Sequence, residues 1–131
     1  MNGKYLFLDD VRVPKDVTWV NLPSPRTEWT IVRNYDAFVQ EIELNGVPDF
    51  ISFDHDLSDE HFTSATAQTV QVFNQMVKTF KEKTGYDCAR WLIDYCITRG
   101  IELPKYAVHS MNPTGASHIQ LLLANRSVWN I

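Results

Sequence analysis

The chain has 131 residues and a net charge of −4, with its lysines and arginines scattered rather than gathered, which excludes a broad nucleic-acid surface or a membrane-surface binder. An apolar share of 44% with 12% aromatics excludes disorder and is enough to close one core without metal or disulfide staples. Cys88 and Cys96 fall eight positions apart on one predicted helix, beyond disulfide reach, so both are expected as reduced core thiols.

Met1-Asn2-Gly3-Lys4 leads straight into a strand, with neither a secretion signal nor a spanning stretch, and a cytoplasmic location is the expectation. Strand one covers Lys4 to Leu8 and stops at Asp9-Asp10. Pro14, Pro23 and Pro25 break any helical pattern from Val11 to Glu28, so an irregular loop is predicted there, with a short strand or turn near Trp19-Val20. Trp29 to Val32 is aromatic and β-branched and reads as strand two. Tyr35 to Leu44 carries Phe38, Val39 and Ile42 at helical spacing and is closed by Asn45-Gly46.

Phe50-Ile51-Ser52-Phe53 is the third and central strand, running into Asp54-His55-Asp56. The stretch 58–84 is too long for an ordinary strand-to-helix loop. Within it Thr66, Val70, Phe73, Val77 and Phe80 alternate at spacings of four and three, the stripe of a helix that packs on the domain or lies over the site as a lid. Thr84 and Asp87 form a capping-box pair at the start of a helix that buries Ala89, Leu92, Ile93, Cys96 and Ile97 and ends at Gly100. Trp91 and Tyr95, one turn apart, are available to cover that insertion or the second subunit of a homodimer. After Pro104 strand four runs to Val108 and stops at His109-Ser110. Asn112-Pro113 opens the last helix, with Ile119, Leu122 and Leu123 inward and Gly115 and Ala116 leaving room for close approach. Arg126 to Ile131 reads as a fifth strand or a docked tail. No internal repeat divides the chain, and one domain over residues 1–131 is expected.

Strands alternating with helices imply parallel pairing, and with strand one central, three strand ends become neighbours at the carboxyl edge where open α/β sheets bind ligands. Asp9, Asp10, Asp54 and Asp56 would crowd there and repel unless a cation neutralises them. Oxygen-rich ligation suits Mg²⁺ or Mn²⁺, while His55 and His109 would admit zinc or iron. Taken one at a time, each has a structural reading: Asp9 or Asp10 capping the loop, Asp56 capping a turn, either histidine satisfied in the core. His61 and His118 have no such company and read as surface or helix residues. Ser110 and the free N–H groups after it, Asn112 included, make an anion cradle, and Arg12 offers a forked contact to phosphate or else a surface ion pair.

An acidic pair after strand one, an aspartate closing strand three and a serine closing strand four resemble the receiver domains of two-component signalling. The resemblance implies metal-binding acids at Asp9 and Asp10, a phosphoacceptor position at Asp54 and the strand-four hydroxyl at Ser110. The chain departs from receivers in its proline-rich loop, its long insertion and the lack of a lysine closing a fifth strand. With Asp-Asp-Val-Arg-Val-Pro at 9–14, Ser-Phe-Asp-His-Asp-Leu at 52–57, Lys-Thr-Gly-Tyr-Asp at 83–87 and Val-His-Ser-Met-Asn-Pro at 108–113, it resembles the cyclic-phosphate-processing receiver-like family over nearly its whole length.

That likeness implies an α/β, flavodoxin-like three-layer sandwich with a mostly parallel four- or five-stranded sheet, strand order beginning 2-1-3-4, and a helical insertion after strand three. It also implies hydrolysis of a cyclic phosphate or cyclic nucleotide in bacterial or phage conflict. The expected enzyme is a metal-dependent phosphoesterase in which Asp9, Asp10, Asp54 and Asp56 hold the cation. His55 or His109 would ligate it or move a proton, and Arg12, Ser110 and Asn112 would receive the phosphate. The rival expectations are a receiver-like module phosphorylated on Asp54 and a noncatalytic interaction protein using the insertion and Trp91.

Overall fold

The computed structural model describes residues 4–23, 28–58, 69–78 and 83–124. Four strands, β1 (Tyr5–Leu8), β2 (Thr30–Val32), β3 (Phe50–Phe53) and β4 (Lys105–Val108), form one parallel sheet in the order β2-β1-β3-β4. The helices are α1 (Tyr35–Asn45), α2 (Val70–Lys78), α3 (Gly85–Arg99) and α4 (Pro113–Ala124). This is the receiver-like, flavodoxin-type α/β arrangement, with β1 and β3 central. Among the described residues no helix is long and apolar enough to cross a membrane.

Period-two alternation divides the sheet into two faces. Leu6, Leu8, Val32, Ile51, Phe53 and Val108 meet Phe38 and Ile42 of α1, Leu92, Ile93 and Cys96 of α3, and Ile119 and Leu123 of α4 in one continuous core. The three helices pack in sequence, α1 on α3 and α3 on α4. Ile97, expected inside with that stripe, is 42% exposed. It falls in the last turn of α3, just ahead of the left-handed Gly100 whose N–H bonds back to Cys96 and Ile97.

The opposite face is built from rings. Tyr5, Trp29 and Phe50 contact one another at centroid distances of 5.4 to 5.9 Å, and Phe7 stacks on His109 at 4.5 Å with planes 6° apart. Phe7 is fully buried, which contributes about 2–3 kcal/mol of transfer free energy. Among the described residues this face has no α-helix over it. The loop after β1 carries a single 3-10 turn, Pro14–Asp16, and it buries Val17. The prolines that rule out a helix here thus leave an irregular third layer whose Trp19 donates its indole N–H to the carbonyl of His109 at 2.7 Å.

The caps foreseen at the starts of α3 and α4 are present, and α1 has one that the sequence reading did not foresee. Asn34 accepts from the N–H of Ala37, Thr84 and Asp87 form a capping box, and Asn112 accepts from the N–H of Gly115 at 3.1 Å. Cys88 and Cys96 are free and buried. Trp29, expected as the first residue of strand two, directly precedes β2, and residues 19–20 form a bend. Thr66 and Phe80 of the insertion stripe, His61 and the 126–131 tail lie outside the described residues.

Candidate functional site: an acidic centre at the sheet edge

Register explains why residues so distant in sequence meet. Leu8 pairs with Phe53 and Phe53 with Val108, so the next residue on each strand is Asp9, Asp54 and His109 in one row. Backbone bonds carry the ladder across that row: Asp54 N–H to the carbonyl of Leu8 at 3.0 Å, His109 N–H to that of Phe53 at 2.9 Å. Strand alternation turns all three side chains to the ring-built face, away from the helices. One ligand atom from each lies within 4.8 Å of the other two, and all three residues are buried.

Within this row Asp9 is the most heavily bonded. Its Oδ1 accepts from the N–H groups of Val11 (2.9 Å) and Arg12 (2.8 Å), and its Oδ2 accepts from His109 Nε2 (2.9 Å) with the Arg12 guanidinium 3.6 Å away. Burial pushes this carboxyl up, but the His109 bond and the two backbone donors outweigh it and bring it down to about 2. An ionised Asp9 needs a donor, so the proton of His109 belongs on Nε2. Its Nδ1 meets the Ser52 hydroxyl at 2.6 Å. Ser52, His109 and Asp9 therefore form a chain of bonds in the order serine, imidazole, carboxylate. It is not a nucleophilic triad, because Ser52 is 0% exposed in the middle of β3. Its consequence is to fix Asp9.

Asp54 has the opposite character. Burial, then the negative charges of Asp9 and Asp56, push it up to about 8 against the lowering effects of a Ser110 hydroxyl bond and of Arg12. Asp10 is half-buried, and its carboxyl is raised by burial and by Asp9; its Oδ1 has no hydrogen-bond partner among the described residues. Asp56 and His55 stand elsewhere. His55 Nδ1 meets Asp56 Oδ1 at 2.8 Å, and Asn112 donates to the same oxygen at 3.2 Å. The His55 ring lies against Gly115, where an added methyl would come within 2.4 Å of its Cγ. The sequence-selected residues thus separate into two groups: Asp9, Asp54 and His109, with Asp10, Arg12 and Ser110 beside them, and His55, Asp56 and Asn112.

Several supporting residues went unnoticed in the sequence. Ser52 is the lone polar position within β3 and shares a face with Asp54 two residues on, a signal that period-two alternation supplies. Arg33 donates to the carbonyls of Asp9 (3.2 Å) and Arg12 (2.6 Å) and clamps the loop after β1. Trp19 holds the loop from the other side, with the Arg12 guanidinium 5.2 Å from its ring centre. Gly85 passes so close to the end of β3 that a methyl there would fall 1.7 Å from the Asp54 carbonyl oxygen. No local pattern announces those last three contacts.

A family model described as the cyclic-phosphate processing receiver domain matches residues 4–125, which include every strand and every one of these side chains. The chain belongs to that family. No curated protein and no solved structure gives a significant match. The residues fit a divalent cation on their own chemistry: two buried carboxylates, an Asp10 acceptor beside them with no partner among the described residues, and one carboxyl displaced upward by burial and by its neighbours' charge. Because both nitrogens of His109 are already bonded, the donor set available to such an ion is oxygen.

Proposed function

We propose that this receiver-like domain is a metal-dependent phosphoesterase that opens a cyclic phosphate ester. The observation that carries the reading is the row of Asp9, Asp54 and His109, in which burial and the charge of Asp9 oppose ionisation of Asp54 and a cation joining the two carboxylates would relieve both. Asp9 and Asp54 are the cation's ligands, with Asp10 in reserve through its Oδ1, which has no partner among the described residues. Magnesium or manganese is favoured by the oxygen donors. A bound cation of this kind supplies Lewis acidity to a phosphoryl group.

The remaining roles belong to the chain. Arg12, held between Asp9 and Met111, offers its guanidinium to a phosphate oxygen, and the Ser110 hydroxyl, now bonded to Asp54, becomes a second donor once a cation takes its place on that carboxylate. His109 enters as the residue that positions Asp9, and His55, bonded to Asp56, as part of the wall behind Asp54. In the reaction water adds at phosphorus and one ring P–O bond breaks, leaving a phosphomonoester and a hydroxyl. The test is hydrolysis of a panel of cyclic mono-, di- and oligonucleotides and simpler cyclic phosphates with Mg²⁺ or Mn²⁺. Turnover that needs the cation and falls at least 100-fold in Asp9→Asn and Asp54→Asn supports the reading, and turnover indifferent to both substitutions removes it.

A second reading draws on the Ser110 hydroxyl bonded to Asp54 at the end of the central strand. There Asp54 accepts a phosphoryl group and the domain signals without hydrolysing a substrate. Incubation with Mg²⁺ and acetyl phosphate followed by intact-mass measurement distinguishes it, since a stable adduct absent from Asp54→Asn belongs to this reading alone.

A further inference from the structure

On the helical side of the sheet a cavity of about 590 Å³ separates α2 from α3 and α4, well within the size range of small-molecule sites. Part of its wall is built from rings, beside the aliphatic Val77, Leu121 and Leu122. Phe73 of α2 stands 5.4 Å from the His55 ring and 5.0 Å, edge to face, from that of His118, and Tyr86 lies 6.1 Å beyond. Phe73 is also the only buried residue of α2, so a single side chain anchors this helix beside a space that protein interiors normally close.

The rim has a definite charge. Lys78 and Arg90 line the cavity, are exposed, and have no ion-pair partner among the described residues. The acid beside them, Asp87, already accepts from the N–H of Thr84 at 2.9 Å in the cap of α3. In a chain of net charge −4, two cations without an ion-pair partner among the described residues, next to rings set edge to face, mark a place for a ligand with a flat ring and an acid group.

We propose that this cleft is a second ligand site, separate from the acidic centre, for an aromatic anion of nucleotide size. The ring enters among Phe73, Tyr86 and His118, and the phosphate or other acid group rests on Lys78 and Arg90. Occupancy completes the packing of α2. No cation is needed, so the site stands or falls independently of the phosphoesterase reading.

The full chain, stripped of divalent metal with EDTA, is titrated with the four nucleoside 5′-monophosphates and with anilinonaphthalene sulfonate, using calorimetry and hydrogen exchange. Adenosine and ribose 5-phosphate serve as the charge-free and ring-free arms. At least one of the ring-bearing anions is expected to bind at millimolar concentration or below and to slow exchange in residues 70–78. Either truncated arm should bind at least tenfold more weakly than adenosine monophosphate or the better of its relatives. Charge reversal in Lys78→Glu and Arg90→Glu, both at exposed positions and checked for unchanged circular dichroism, should weaken binding at least fivefold, whereas Asp54→Asn leaves it within twofold. No binding by any probe overturns the proposal. So does equal binding of ribose 5-phosphate, which would mean a bare anion contact, or affinity unmoved by both reversals.

Discussion

His109 and His55 offer a controlled comparison, since each is a buried imidazole bonded to an aspartate at the carboxyl edge of the sheet. His109 is enclosed: Phe7 covers its face, Ser52 takes one nitrogen and Asp9 the other. His55 backs onto Gly115, shares Asp56 with Asn112 and presents its ring to the cavity beside α2. The same residue pair thus serves one side as a fixed strut for a carboxylate and the other as part of a wall. What separates them is strand parity, because Asp54 and His55 are adjacent and point to opposite faces.

The two glycines that admit this arrangement give the largest expected effects. An alanine at the first helical position normally gains stability over glycine, yet in Gly85→Ala the new methyl would fall 1.7 Å from the Asp54 carbonyl oxygen, and the bond from Gly85 N–H to the carbonyl of His55 would be pushed apart. A loss of about 3 kcal/mol in urea unfolding is expected, with cation affinity lost as well, since the displaced backbone carries both histidine networks. In Gly115→Ala the nearest atoms to the new methyl belong to the His55 side chain, at 2.4 to 2.8 Å. It should cost about 2 kcal/mol, disturb the cavity and leave cation binding at Asp9 and Asp54 within threefold.

Next in size is a pH effect with opposite signs at the two acids of the row. Folded Asp54 holds its proton up to about 8, whereas an unfolded aspartate releases it near about 4, so the native state binds more protons between those values and stability falls as pH rises through them. Asp9, brought down to about 2, contributes stability above about pH 4 that disappears as pH falls toward 2. Asp54→Asn keeps the shape and removes the charge. Without divalent cation it should be more stable than the parent by about 3 kcal/mol at pH 8 and nearly equal to it at pH 4. Adding Mg²⁺ should raise the Tm of the parent most at pH 8 and leave that of Asp54→Asn unmoved. A parent protein whose stability is flat from pH 4 to 8 would remove the crowding on which the cation argument depends.

Strand order, parallel pairing and the meeting of Asp9, Asp54 and His109 were legible because they depend on patterns local to each strand: an apolar run, a polar stop, and a helix between. The family resemblance was legible for the same reason, being carried by short motifs at those stops. Which polar residues face one another was harder to read. Asp54, His55 and Asp56 look equivalent in a row of letters; alternation separates Asp54 from His55, but Asp56, which alternation would return to the face of Asp54, lies past the end of β3 and bonds His55 instead. Tertiary contacts such as Trp19 to the carbonyl of His109, Arg33 across the loop after β1, or the approach of Gly85 to β3 leave no local trace. Ile97 fits the helical stripe yet lies 42% exposed, because the stripe continues past the point where α3 leaves the core.

The smallest expected effect is the most discriminating, because it asks whether the two histidine networks are separate in energy as well as in space. Ser52→Ala leaves Nδ1 of His109 buried without its partner, which should cost about 1–2 kcal/mol and loosen the ring that fixes Asp9. Cation affinity should drop about tenfold, the usual penalty when a residue supporting a ligand is removed. Asn112→Ala takes away the cap of α4 and one bond to Asp56. It should cost about 1 kcal/mol and leave cation affinity within twofold, since its amide bonds to Asp56 and to the start of α4, and its backbone N–H bond to Ser110 survives the substitution. Calorimetric titration of Mn²⁺ into both variants measures the difference directly. Equal weakening in the two would mean that Asp56 belongs to the cation's surroundings after all, and the division drawn by strand parity would then be geometric only.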